Sequence, residues 1–113
     1  MSEMEVPIET DIATVAAMRD GGEDFLLLDV REENEYAVAK IDGSLLIPMS
    51  QLRERFAELE EHRDRLIVVH CHHGGRSMQV TQAMRNSGFA RVQNMAGGID
   101  QWSVQIDPSV PRY

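Results

Sequence analysis

One cysteine stands in the 113 residues, and His72, His73, Gly74, Gly75, Arg76 and Ser77 follow it directly. A thiol with two glycines and an arginine behind it suits nucleophilic attack on sulfur or on a small oxyanion. The nucleophile is the thiolate, and a free cysteine has a pKa near ~8.5, so little of it is ionised at neutral pH. Its surroundings must lower that value. Upstream, Leu66-Ile67-Val68-Val69-His70 is an apolar, β-branched run that predicts a buried strand, and from Arg76 onward the apolar residues recur at helical spacing. Cys71 therefore falls at a strand-loop-helix junction, where the first backbone N–H groups of the helix lack intrahelical partners and the peptide dipoles align. Gly74 and Gly75 can take φ > 0, so the loop amides can turn inward as an anion-binding nest around the sulfur. Arg76 adds a permanent positive charge. The combination predicts a reactive thiolate; the alternative is a cysteine packed as a small hydrophobe, which has no need of Gly-Gly-Arg after it.

The stretch Cys71 to Ser77 resembles the active-site loop of single-domain rhodaneses, a family of sulfurtransferases. Three further matches lie in the family's order: Leu27-Leu28-Asp29-Val30-Arg31-Glu32 with Glu35-Tyr36, Ile41-Asp42-Gly43-Ser44 with Ile47-Pro48, and Gly97-Gly98-Ile99 with Trp102. They run from about residue 10 to 107, so residues 1–113 read as one rhodanese-like domain. Many relatives carry histidine immediately before the isoleucine at 41. Lys40 stands there in this chain, which weakens any case for a catalytic duty at that position.

The resemblance implies a double displacement. Cys71 attacks the outer sulfur of thiosulfate or a persulfide donor, carries that sulfur as a persulfide, and passes it to a thiophilic acceptor, a thiol or a protein in the cell. Arg76 would hold the small anionic donor by a bidentate contact, while loop amides from His72 to Ser77 stabilise the sulfur anion. Ser77 would orient the loop or cap its helix. His72 and His73 would line the mouth, and neither has an orienting carboxylate that the sequence can identify. Asp29 and Arg31, near the carboxyl end of a strand where open α/β sheets bind ligands, are either supporting residues or a loop-fixing pair. No cofactor and no metal is expected. A zinc site at His70-Cys71-His72-His73 is a poor rival, because four adjacent residues cannot easily aim at one tetrahedral centre. A phosphatase or arsenate reductase is a nearer one, but enzymes of that kind have one more residue between cysteine and arginine than the four, His72 to Gly75, found here. A sulfur-relay or regulatory module acting on a protein partner would use the same persulfide.

These side chains need a scaffold, and 113 residues suffice for a single core. The formal charge of -8 argues against nucleic acid as a partner and makes His72, His73 and Arg76 a local positive island. No apolar run is long enough to span a bilayer, so no membrane association is expected. The acidic start, Met1-Ser2-Glu3-Met4-Glu5, lacks the form of a signal peptide, and a lone cysteine cannot form an internal disulfide. A reducing, cytoplasmic setting is expected.

Along the chain, Val6-Pro7-Ile8 is a candidate strand, Thr10 or Asp11 caps a helix carrying Ile12, Val15 and Ala16, and Asp20-Gly21-Gly22 stops it. Phe25 to Val30 is a covered strand leading into a short acidic helix through Tyr36. Leu45 to Ile47 is a brief strand, and Ser50 caps a helix through about Glu61 with Leu52, Phe56 and Leu59 on one stripe and a solvated His62 at its end. After the central helix come a strand at Val92 to Met95, a turn at Gly97-Gly98, a core position for Trp102 and a tail from Asp107. This alternation predicts an α/β protein. With the resemblance it implies a rhodanese-like three-layer fold, a central, mostly parallel five-stranded sheet with helices on both faces.

Overall fold

The structure, a computed structural model, describes residues 6–113, so the acidic start at 1–5 lies outside the described residues. Leu26 to Leu28 and Ile67 to Val69 are apolar at every position, which suits strands covered on both faces. They lie in β2 (Leu26–Asp29) and β4 (Ile67–His70), paired in parallel at the centre with Leu28 against Val69 and Asp29 against His70. β5 (Val92–Met95) flanks β4, and the short strands β1 (Glu9–Thr10) and β3 (Leu45–Leu46) form the edges. The sheet has five strands, all parallel, in the order β1-β5-β4-β2-β3. Parallel neighbours cannot be joined by hairpins, and crossover segments supply the two outer layers.

On one face α1 (Ile12–Asp20) and α5 (Gly98–Gln105) pack Ile12, Val15, Ile99 and Trp102 against Leu27, Val68 and Met95. On the other, α4 (Gly75–Asn86) brings Val80 and Met84 onto Leu28, Val69 and Cys71, with Ile47, Leu59 and Phe89 filling the gaps. Side chains alternate across a strand. Cys71 therefore turns toward α4, while Asp29 and His70 turn toward the opposite layer. This parity decides which residues can meet the sulfur.

Four expectations change. The strand read at Val6-Pro7-Ile8 lies at Glu9–Thr10 instead, because Pro7 has no N–H for a ladder; its carbonyl accepts from the Gln93 side chain, and pairing begins with Asn94 N–H donating to Ile8 O at 2.7 Å. The helix read from Ser50 to Glu61 is three shorter pieces, a 3-10 turn at Met49–Gln51, α3 (Leu52–Arg55) and a 3-10 helix at Phe56–His62. Tighter winding aligns residues three apart, which stacks Phe56 and Leu59 toward the core and places Arg55 with Glu58 and Glu60 with Arg63. Ser50 does not cap it; its hydroxyl donates to Glu32 Oε1 at 2.6 Å, tying this segment to α2 (Glu33–Val38). Finally, His62 is not simply solvated, since its Nδ1 lies 3.1 Å from Arg65 Nη1 and accepts from it.

Asp29 and Arg31 are both fully buried, joined by Nη2 to Oδ2 at 2.6 Å and by Nε at 3.0 Å to Oδ1. Arg31 also donates to Ala39 O and Glu35 O, so the pair fixes the far end of α2. Removing one member leaves a buried charge unpaired, at a cost of about 3 to 5 kcal/mol. Arg31→Ala is expected to lower the unfolding free energy by that amount in urea, and an unchanged midpoint would show that the pair does not hold this loop.

Candidate active site

β4 ends at His70 and the chain turns sharply, which leaves Cys71 1% exposed beneath the first turn of α4. Its Sγ accepts the Gly74 backbone N–H at 3.1 Å and lies 3.3 Å from Ser77 Oγ. Gly74 supplies the turn with φ of 120°, a value that side chains avoid. Gly75 does not share that conformation: it opens α4, and a Cβ there would meet nothing within 4 Å. Only one of the two glycines is therefore needed for the loop's backbone.

Burial pushes the Cys71 thiol up, but the Ser77 hydroxyl and the backbone N–H groups of Ser77, Gly74 and His73 outweigh it and set the thiol below its ordinary value. Hydrogen bonds to the charged form do this work. Ser77→Ala removes one of them, so the thiol should titrate at higher pH. The expected readout is the rate of iodoacetamide alkylation, whose rise with pH moves upward in the variant; an unmoved profile would show that the serine contributes nothing.

Ser77 is itself held from behind. Its hydroxyl has a single proton to share between Cys71 Sγ and Asn94 Oδ1, the latter 2.5 Å away at the end of β5, and Asn94 Nδ2 donates to Glu9 Oε2 at 3.2 Å and to Gly74 O at 3.3 Å. Asn94 is 1% exposed, and its sequence context marks it only as a strand residue. The turn at Gly97 and Gly98 presses on the loop from the other side, with Ile99 N–H donating to Cys71 O and Asp100 N–H to His72 O. The sulfur is thus positioned by two strand ends and two helix starts.

The arginine is arranged otherwise than expected. Arg76 Nη1 and Nη2 donate to Glu35 Oε2 and Oε1 at 2.7 and 2.8 Å, so the bidentate contact foreseen for an anionic donor is made to a residue of α2. The positive island is neutralised as well. Arg112 pairs with Asp100 at 2.9 Å, and Asp100 Oδ2 lies 3.9 Å from His73 Nδ1, supplying the neighbouring carboxylate that the sequence did not reveal. Burial and the neighbouring His73 hold His72 below its ordinary value.

His72 is sandwiched, with ring centroids 3.9 Å from His73 on one side and 3.9 Å from Tyr113 on the other. The tail read from Asp107 is irregular as expected, yet Val110 is buried and Tyr113 reaches the mouth. Tyr113 Oη accepts from Arg31 and donates to Glu35 Oε1, both at 3.0 Å. Nothing local marks Tyr113, since its partner Arg31 is 82 residues away. Among the described residues the hydrogen bonds to Cys71 Sγ come from Gly74 and Ser77 and not from Asp29 or Arg31, and Lys40 lies over the Tyr36 ring at 5.5 Å, outside the hydrogen bonds of the loop. No helix among the described residues is long and apolar enough to cross a membrane.

Comparison with known proteins adds to this geometry. The family model described as Rhodanese-like domain matches residues 11–105. A sulfurtransferase of Allochromatium vinosum is 34% identical over 95 residues, covering 84% of this chain and 87% of its own. The adenylyltransferase and sulfurtransferase MOCS3-2 of Zea mays is 36% identical over 101 residues, 85% of this chain and 21% of its own. The structure of the human single-domain sulfurtransferase TSTD1 aligns with a TM-score of 0.76 at 26% identity, covering 88% of this chain and 98% of that one. The chain spans between 21% and 30% of the length of the first curated relatives it matches.

Proposed function

The chain belongs to the rhodanese-like family, and from that premise we propose that it is a sulfurtransferase in which Cys71 carries sulfane sulfur from a thiosulfate or persulfide donor to a thiophilic acceptor. The observation that supports this most directly is the ring around the sulfur: Gly74 N–H at 3.1 Å and Ser77 Oγ at 3.3 Å, at the start of α4. A thiolate so held is ionised without a separate base. It attacks the outer sulfur of the donor, a new S–S bond forms to Cys71, and the old bond breaks with its electron pair leaving on sulfite or on a thiolate. The acceptor then attacks the outer sulfur of the Cys71 persulfide, and Cys71 leaves as thiolate. No net oxidation occurs on the protein over the cycle, and the order of events is ping-pong.

The same ring serves the persulfide. Its terminal sulfur carries the negative charge, and the backbone N–H groups of His73, Gly74 and Ser77 that act on Sγ lie at the start of α4, where an anion is favoured. Ser77 and the loop from His72 to Gly75 are thus proposed to stabilise two anions in turn. Intact mass after incubation with a sulfur donor tests the reading: one added sulfur, removed by dithiothreitol, is expected, and an unmodified mass with every donor would refute it.

A second reading, a relay to a protein acceptor, is favoured by the similarity to the MOCS3-2 protein of Zea mays, whose name joins sulfur transfer to adenylyl transfer. Transfer from the loaded cysteine to one protein faster than to small thiols would support it. A phosphatase reading fits less well, because the loop has only four residues between Cys71 and Arg76 and the arginine is already engaged.

A further inference from the structure

The charge at the mouth bears on which donor it takes. An oxyanion such as thiosulfate is held most strongly where a cation adds free donors to the loop amides, and the candidate in the loop is Arg76. Both of its terminal nitrogens are directed at Glu35. Glu35 in turn is held by four hydrogen bonds: two from Arg76, one from Glu32 N–H at 2.9 Å and one from the Tyr113 hydroxyl at 3.0 Å. The Arg76 guanidinium beside it brings its carboxyl down to about 2, so it stays ionised across the working range.

Glu35 therefore occupies, from within the chain, the place that a sulfonate or sulfate group would take on the guanidinium. The other arginines near the mouth are committed in the same way, Arg31 to Asp29 and Arg112 to Asp100. What remains open is aromatic: the stacked rings of His73, His72 and Tyr113. Such a surface suits the body of an organic thiol and offers a dianion little.

Building on the sulfur-transfer reading, we infer that this site is made for an alkyl persulfide, with the transferable sulfur on an organic thiol, and that Glu35 sets this preference by holding Arg76 away from oxyanionic donors. The step balances without a co-reactant. Cys71 thiolate attacks the terminal sulfur of R–S–SH, the S–S bond of the donor breaks with its electron pair on R–S, and the proton on the transferred sulfur passes to R–S, which leaves as R–SH. Cys71 is left as the persulfide anion, in the ring of amides that held the thiolate.

The test compares two donors, thiosulfate and glutathione persulfide, on the full chain and on Glu35→Gln. Loading of Cys71 is followed by intact mass on quenched samples, and kcat/KM is obtained for each donor. The wild-type protein is expected to favour the persulfide, and Glu35→Gln to move the ratio toward thiosulfate by about tenfold, the scale of one charge-assisted bidentate contact, mainly through a lower KM. Tyr113→Phe keeps Glu35 but removes one of its four donors and is expected to move the ratio the same way by less, so the inference stays open to test even where Glu35→Gln folds poorly. A wild-type preference for thiosulfate, or a ratio that neither variant moves, would overturn the inference and leave sulfur transfer standing. If neither donor loads Cys71 in the wild-type protein, sulfur transfer itself fails and the inference with it.

Discussion

With alanine in place of Cys71, the protein is expected to fold and to transfer no sulfur. The covalent intermediate cannot form, so turnover should fall to background, at least about a thousandfold down. Stability should change little, because the side chain is small and no other residue depends on it for a charge. The Gly74 amide and the Ser77 hydroxyl lose their acceptor, and a net loss of about 1 kcal/mol is the expected scale for such a contact. Cys71→Ser separates the two roles further. A hydroxyl can accept the Gly74 N–H, so the loop keeps its shape, yet it ionises far too weakly to attack a sulfane sulfur. Circular dichroism and urea unfolding report the fold, and mass analysis after donor treatment reports the chemistry. Transfer that survives in either variant would place the sulfur elsewhere, and this chain has no other cysteine to hold it.

The contrast between Cys71 and Arg76 shows what the chain reveals about itself and what it hides. The cysteine's setting is local: a β-branched strand, a glycine turn and a helix start lie within seven residues, from Val69 to Gly75, and each is dictated by short-range sterics. Its depth below α4 also follows from strand parity, once β4 is placed. The arginine's partner is not local. Glu35 lies 41 residues earlier, and as a residue in the first turn of an acidic helix it carries no mark of the pairing. The same holds for Asn94, 17 residues beyond Ser77, and for Tyr113, beyond two prolines that mark the segment only as irregular. Pairings of this kind arise when strand ends and helix starts converge at one edge of a parallel sheet. The segment expected as one helix from Ser50 to about Glu61 differs for a related reason. Its apolar residues repeat at a spacing that fits either winding, and contact with the core selects the tighter one.

Asp29 and Arg31 form a fully buried ion pair at the carboxyl end of β2. Asp29 lies in register with His70, next to the site, yet the pair falls on the face of the sheet opposite the sulfur. Their influence reaches the mouth at second hand, because Arg31 donates both to Glu35 O and to the Tyr113 hydroxyl. Loss of this pair should therefore act on stability first and on the mouth only through Glu35 and Tyr113.

The second large effect is expected from a residue with no side chain. Gly98 opens α5 with φ of 60°, and a Cβ built on it would lie 2.5 Å from both Cys71 O and His72 O. Those carbonyls are fixed, since they accept Ile99 N–H at 2.9 Å and Asp100 N–H at 3.1 Å. Gly98→Ala cannot relieve the overlap by turning a flexible side chain; α5 and the cysteine loop must separate. The left-handed backbone alone costs roughly 1 kcal/mol for a residue with a Cβ, and two strained hydrogen bonds cost about 1 kcal/mol each. With the lost packing of Ile99 and Trp102, the expected loss is about 4 kcal/mol, within the range reserved for disrupted backbone sites and cores. Any folded fraction should also load sulfur poorly, because the carbonyl of Cys71 and that of His72 set the path of the loop. Gly75→Ala is the control. It has an ordinary φ and open space around its Cβ, and in a helix alanine is favoured over glycine by about 1 kcal/mol. Urea unfolding should therefore move the two glycine variants in opposite directions. A Gly98→Ala protein as stable as the parent would show that the contact between α5 and the cysteine loop is loose, and that the loop's shape is set from the α4 side alone.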